Sequence, residues 1–211
     1  MSSINMPPSE TKTTFIMRSD TVNIEHYTIK DIPGSSGRLD VVARCMLAAL
    51  MNQDRFAKST QIILFFQRYG EFRFHTQDLN YSSFPKDELQ LADALYQLIR
   101  NRNTPTYLKN NPMGLIERYD NSMMQYIKNI RQTKEHSIFV LKETTAKPQK
   151  SLETLKEIAE ETNLLFVIGN QSEDFINSDT FLRLNLPELS LGTQAYLASS
   201  VIRLIKLTLL R

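Results

Sequence analysis

Short, uniformly apolar runs alternate along this chain with stripes of apolar residues at helical spacing. Leu164 to Ile168 is one such run, closed by Gly169, and Thr14 to Met17, Ile62 to Phe66 and Ser137 to Leu141 read the same way. Runs this brief and this apolar predict strands buried on both faces. Phe72 to Phe74 is a weaker strand, expected to pair with Ile62 to Phe66. Leu39, Val42, Ala43, Met46 and Leu50 share one face of a helix over Leu39 to Met51. Leu91, Leu95, Leu98 and Ile99 do so over Lys86 to Arg100, and Ile116, Tyr119, Met123, Ile127 and Ile130 form a further helical stripe. Leu152 to Glu161 predicts another helix and Ala195 to Leu210 the last.

The remaining segments carry weaker signals. Tyr27 to Ile32 reads as a second strand before the turn Pro33-Gly34-Ser35-Ser36-Gly37. Asn101 to Pro112 reads as a loop, Glu173 to Ser178 as a short helix or turn, and Phe181 to Leu184 as a final short strand. Apolar strands alternating with helices imply an α/β fold: a mostly parallel sheet covered by helices on both faces. Residues 1–13 are polar and contain Pro7 and Pro8, so they read as a flexible leader before a single domain over residues 14–211.

Composition narrows the chemistry. With 211 residues, 23% charged and 41% hydrophobic, the chain suits one soluble domain with a sizeable core. A net charge of +2 permits nucleic-acid binding without arguing for it, so local clusters must carry that case. The lone Cys45 excludes an intramolecular disulfide and a thiolate metal cage, and it lies in a helical apolar pattern as packing. The leader has no apolar signal core, and no run approaches the about 18 apolar residues that span a membrane. The expected location is the cytoplasm, with no membrane partner. His26, His75 and His136 stand in no metal-ligand spacing, and no metal is expected. Phosphate loops, dinucleotide glycine motifs and nucleophile elbows are absent.

What remains is a pair of glycine-marked turns. Leu165-Phe166-Val167-Ile168-Gly169-Asn170 ends a buried strand, and Leu189-Ser190-Leu191-Gly192-Thr193-Gln194 feeds the terminal helix. Such turns can form a backbone-lined pocket for a small polar molecule at strand ends. Upstream stands Asp31-Ile32-Pro33-Gly34-Ser35-Ser36-Gly37-Arg38-Leu39-Asp40-Val41-Val42-Ala43-Arg44-Cys45. This string resembles the N-terminal motif of the archaeal-type tRNA pseudouridine-54 N1-methyltransferases, members of the SPOUT class of knotted methyltransferases. Phe166 to Gly169 and Leu189 to Gly192 fall where that family has its later motifs. The similarity runs from about Thr14 to the C-terminus.

The resemblance implies a deep C-terminal trefoil knot, an exception to the rule that chains avoid knots. It also implies S-adenosylmethionine bent into the knot and held by three loops. By motif position the first follows Leu141, the second contains Gly169, and the third comprises Leu189, Ser190, Leu191, Gly192, Thr193 and Gln194, with Val201 on the cofactor wall. Glycine at 169 and 192 would let adenine or ribose approach the backbone. Two positions depart from the family: Asn170-Gln171 replaces Asp-His, and Ser200-Val201 replaces His-Cys.

The implied activity is S-adenosylmethionine-dependent methylation of RNA, at N1 of pseudouridine in tRNA or at a related base, by a homodimer. Arg38 is the expected holder of a phosphate or base edge, and Asp40 orients Arg38 or accepts the N1 proton. Arg38 and Arg44, Arg100 and Arg102, and the group Arg118, Lys128, Arg131 and Lys134 are candidate RNA contacts. The terminal helix is apolar on more than one side (Leu197, Val201, Ile202, Leu204, Ile205, Leu209); burial against a second copy explains this, and a monomer burying both sides within its own core is the alternative. Two alternatives are a knotted RNA-binding dimer without transfer activity and a methyltransferase or binding protein for a small nucleotide-like molecule.

Overall fold

The computed structural model describes residues 12–142, 152–169, 175–191 and 196–210. The elements in chain order are β1 (Thr13–Ser19), α1 (Ile32–Ser35), α2 (Leu39–Leu50), β2 (Met51–Asn52), β3 (Arg55–Phe56), β4 (Thr60–Phe66), β5 (Gly70–His75) and α3 (Glu88–Arg100). They continue with α4 (Pro105–Asn110), β6 (Glu117–Tyr119), α5 (Met123–Thr133), β7 (His136–Lys142), α6 (Leu155–Glu161), β8 (Asn163–Ile168), α7 (Asp179–Leu182), β9 (Glu188–Ser190) and α8 (Ala198–Leu210). Seven strands form one sheet in the order β6-β5-β4-β1-β8-β7-β9. The pairings of β4, β8, β7 and β9 through β1 are parallel, whereas β5 and β6 add an antiparallel flank.

Alternation along the strands feeds two cores. Phe15, Met17, Ile62, Leu64, Leu164 and Phe166 face one layer, filled by α2, α3, α8 and Leu155 of α6. Ile16, Ile63, Phe65, Ile138, Val140, Leu165 and Val167 face the other, where α5 contributes Met123, Tyr126 and Ile127 and the α7 region contributes Phe175, Ile176 and Phe181. Helices cover both faces, as the continuous apolar strands required.

Four local expectations are corrected. Tyr27 to Ile32 is a turn and a short 3-10 segment (Ile29–Asp31) leading into α1, because Thr28 and Asp31 cap these elements and break the extended path. Phe181 to Leu184 is not a strand: Ser178 accepts from the Phe181 N–H and starts α7. Asn101 to Pro112 contains α4, with Pro105 in its first turn. The stripe from Ile116 to Ile130 is split, with Glu117–Tyr119 pairing at the sheet edge as β6 and Ser122 capping α5. Strand β9 has no counterpart in the sequence reading; it exists through its pairing with β7.

Helix α8 packs on α2 and α6. Its Lys206 ammonium donates to the carbonyls of Ala48, Ala49 and Met51 at 2.8, 2.9 and 2.6 Å. These are orphan acceptors at the end of α2, so the lysine caps one helix from another.

Candidate functional site

Parallel strands bring their carboxyl ends to one edge of the sheet. Met17 lies beside Ile168, Val140 beside Val167, and Leu141 beside Leu189. The carboxyl ends of β1, β8, β7 and β9 therefore lie side by side, where ligands of open α/β sheets bind. Leu141, Leu189 and Ser190 are buried, and Gly169 and Leu191 are half-buried. Gly192, Thr193, Gln194, Asn170 and Gln171, and the loop after Lys142, lie outside the described residues, as do residues 1–11 of the expected leader. Gly169 itself has an ordinary backbone; a Cβ there would meet Ile176 Cδ1 at 3.1 Å. Its small size thus makes room for the 3-10 turn Phe175–Asn177, a reason distinct from ligand approach.

The motif Pro33 to Asp40 packs beside the end of β1. Asp31 Oδ1 accepts from the Gly34 N–H at 3.1 Å, and the buried Ser36 hydroxyl accepts from the Leu39 N–H at 3.0 Å. Gly37 and Arg38 are both left-handed, with φ of 61° and 73°, and turn the chain into α2. At Gly37 this conformation suits glycine; at Arg38 it is strained, which marks functional loops more than ordinary ones. Thr21 Oγ1 donates to the Gly37 carbonyl at 2.9 Å, and the Asn23 N–H donates to the Ser36 carbonyl at 3.1 Å. The motif is thereby fixed to the segment leaving β1.

Arg38 lies half-exposed with a two-pronged grip on Asp40, Nε to Oδ1 and Nη2 to Oδ2, both 3.0 Å. Asp40 is buried, and Arg44 Nη2 stands 3.7 Å from its Oδ2. Arg44 in turn holds Glu88 through two hydrogen bonds of 2.8 Å. Of the two roles expected of Asp40, this geometry favours orientation of Arg38: both carboxylate oxygens already face guanidinium groups.

A second carboxylate was missed by the sequence reading. Asp20 Oδ1 accepts from Arg18 Nε at 2.7 Å, while its Oδ2 is buried without a hydrogen-bond partner among the described residues. The Arg18 guanidinium also lies 5.5 Å from the centre of the Phe175 ring, so it joins the end of β1 to the chain returning after β8. The signal was present as Arg-x-Asp closing a buried strand, but its meaning depends on burial.

The other chemically able groups stand elsewhere. Cys45 is fully buried and desolvation pushes its thiol up to about 12, so it is packing and not a nucleophile. His75 and His136 lie at the opposite edge of the sheet, half-buried, with burial lowering both imidazoles; His26 is exposed. Among the described residues no group of three or more His, Cys, Asp or Glu is placed to hold a metal ion. Val201 is half-buried on α8 against the first core. Among the described residues no helix is long and apolar enough to cross a membrane.

Comparison with known proteins bears directly on this edge. A family model described as "Putative SAM-dependent RNA methyltransferase" matches residues 13–211. The tRNA (pseudouridine(54)-N(1))-methyltransferase of Thermococcus onnurineus (strain NA1) is 22% identical over 206 residues, covering 93% of this chain and 96% of that protein. Among solved structures, Archaeoglobus fulgidus Nep1 bound to S-adenosylhomocysteine is similar with a TM-score of 0.63 at 13% identity, covering 94% of this chain and 97% of that one.

Proposed function

From the chain's membership of the SAM-dependent RNA methyltransferase family, we propose that it methylates N1 of a pseudouridine in tRNA, or a closely related base, in the cytoplasm. The observation that carries this reading is the meeting of two features at one sheet edge. The carboxyl ends of β7, β8 and β9 emerge there beside the Gly37–Arg38 loop. The Thermococcus relative's activity and the S-adenosylhomocysteine in the Archaeoglobus structure supply the substrate class and the ligand.

The residues present fit S-adenosylmethionine. Leu141, Gly169 and Leu189 to Leu191 offer backbone donors and acceptors with small or apolar side chains, as a nucleoside lacking phosphates requires. Gly192, Thr193, Gln194 and Val201 belong to the same proposed cofactor set by motif position. When bound, the cofactor supplies an electrophilic methyl group on a sulfonium. The protein's own part is positioning and proton removal. Arg38, held by Asp40, presents its outer face to a phosphate or base edge. Asp20, with one oxygen on Arg18 and the other without a hydrogen-bond partner among the described residues, is our candidate to take the proton that N1 must lose.

The same reading includes a knot and a dimer. The strand order β8-β7-β9 at the sheet edge, with α8 back against α2, supports a trefoil threading. On α8, Ile202 and Ile205 are fully buried within the protomer, whereas Leu207 on the helix and Leu197 just before it are 54% and 56% exposed. These exposed apolar side chains support a second copy there.

Calorimetric titration with S-adenosylmethionine tests the cofactor, and saturable heat is expected. Mass spectrometry of tRNA nucleosides from a strain lacking the protein tests the substrate. Loss of a methylated pseudouridine is expected, and an unchanged nucleoside profile overturns the proposal.

A further inference from the structure

Beside the motif lies a surface that the methyl-transfer site does not use. Tyr69 sits in the turn after β4, its hydroxyl accepting from the Ile24 N–H at 3.0 Å and donating to Asn23 Oδ1 at 3.2 Å. Asn23 is bonded to Ser36 of the motif, so this tyrosine is one residue removed from the Gly37–Arg38 turn. Arg102 lies with its guanidinium 5.2 Å from the centre of the Tyr69 ring. Arg68 next to it and Arg100 on the end of α3 are exposed. None of Arg68, Arg100 and Arg102 has an acidic partner among the described residues, in contrast to Arg38 and Arg44.

An aromatic pair continues the surface. Tyr27 and Tyr96 stack with centroids 4.0 Å apart and planes 13° from parallel. Tyr27 Oη donates to Asp93 Oδ1 at 3.1 Å, and Arg100 Nη1 reaches Tyr96 Oη at 3.4 Å. Both rings are half-buried and held by α3, so the pair is preformed and loses little freedom when a third ring joins it.

We infer that this surface, Arg68, Arg100 and Arg102 with the Tyr27–Tyr96 stack, holds the unpaired RNA strand that flanks the target nucleotide. Arginines without counter-ions attract phosphates, and stacked aromatics accept an unstacked base from a loop without reading its sequence. Tyr69 ties this surface to Asn23, and Asn23 to Ser36, two residues before Arg38, so a strand resting on it leads its neighbouring nucleotide toward Arg38. The inference rests on the RNA-methyltransferase reading and adds where the substrate is gripped.

The test is fluorescence anisotropy of the full chain with a fluorescein-labelled RNA hairpin carrying pseudouridine in its loop, across a salt series. Replacing Arg68 and Arg100 together by alanine is expected to weaken binding and to lower the slope of log affinity against log salt by about 0.7 per lost phosphate contact. Tyr96→Ala is expected to weaken binding about tenfold or more at unchanged slope, and Tyr96→Phe to restore it. Calorimetric affinity for S-adenosylmethionine stays the same in all three variants, which shows that they are folded. Wild-type affinity and slope in the arginine variant overturn the inference while leaving the enzyme reading intact. Absence of RNA binding by the wild-type chain overturns that reading instead.

Discussion

The carbonyl oxygen of Thr21 stands 1.9 Å from the point where a Cβ on Gly37 would lie. With φ at +61°, Gly37 leaves that point empty, and the Thr21 hydroxyl donates to the Gly37 carbonyl. Gly37→Ala adds left-handed strain to a backbone clash, so a loss of more than about 2 kcal/mol of stability is expected. Urea denaturation measures the loss. Methyl transfer should fall further than stability predicts, because Arg38 moves with the turn.

The two carboxylates near the motif should separate in kinetics. Asp20→Asn keeps the size of the side chain and removes the proton acceptor, so kcat falls about 100-fold or more while S-adenosylmethionine affinity is unchanged. Asp40→Asn loosens Arg38 and raises KM for RNA more than it lowers kcat. The reverse pattern would make Asp40 the acceptor. Steady-state assays with labelled S-adenosylmethionine read both numbers.

Cys45 gives a prediction about pH. Desolvation holds its thiol at about 12 in the folded chain, above its ordinary 9.0. The neutral form therefore persists through pH 8, where an unfolded cysteine already has a reactive thiolate fraction. A maleimide should leave the native protein unlabelled at pH 8 and modify it once in guanidinium. Rapid labelling of the native chain would contradict the burial.

Lys206→Met removes three charge-assisted hydrogen bonds at the end of α2 and leaves three carbonyls without this donor. The expected cost is about 2–4 kcal/mol, measured as a lower denaturation midpoint. Lys206→Arg should recover only part of it, because a planar guanidinium does not match three converging carbonyls.

Much of this architecture was legible because local pattern and burial agree. Phe15, Ile62, Phe166 and their neighbours are fully buried, and a continuous apolar run is how such strands read. Misreadings arose where a short, mostly apolar run imitated a strand. In Phe181-Leu182-Arg183-Leu184 the buried residues, Phe181 and Leu184, are three apart, and Ser178 and Asp179 before them are a helix start. Strand β9 spans only Glu188–Ser190 and is defined by its neighbour β7, which no local pattern reports. At the site, Pro33 to Asp40 was readable as a motif. Asp20 was not, because what singles it out is an unpartnered oxygen in a buried place. Asp40 was readable as a residue with two roles open, and its engagement by Arg38 and Arg44, which favours orientation, appears only in three dimensions.

Helix α2 is gripped at both ends: Gly37 is pinned to Thr21 where it begins, and Lys206 clasps it where it stops. Its 12 residues make a rod about 18 Å long. The terminal helix and the arginine turn are therefore mounted on one strut. A shift of α8 would be delivered along that strut to Arg38, as a lever carries a small rotation to its far end.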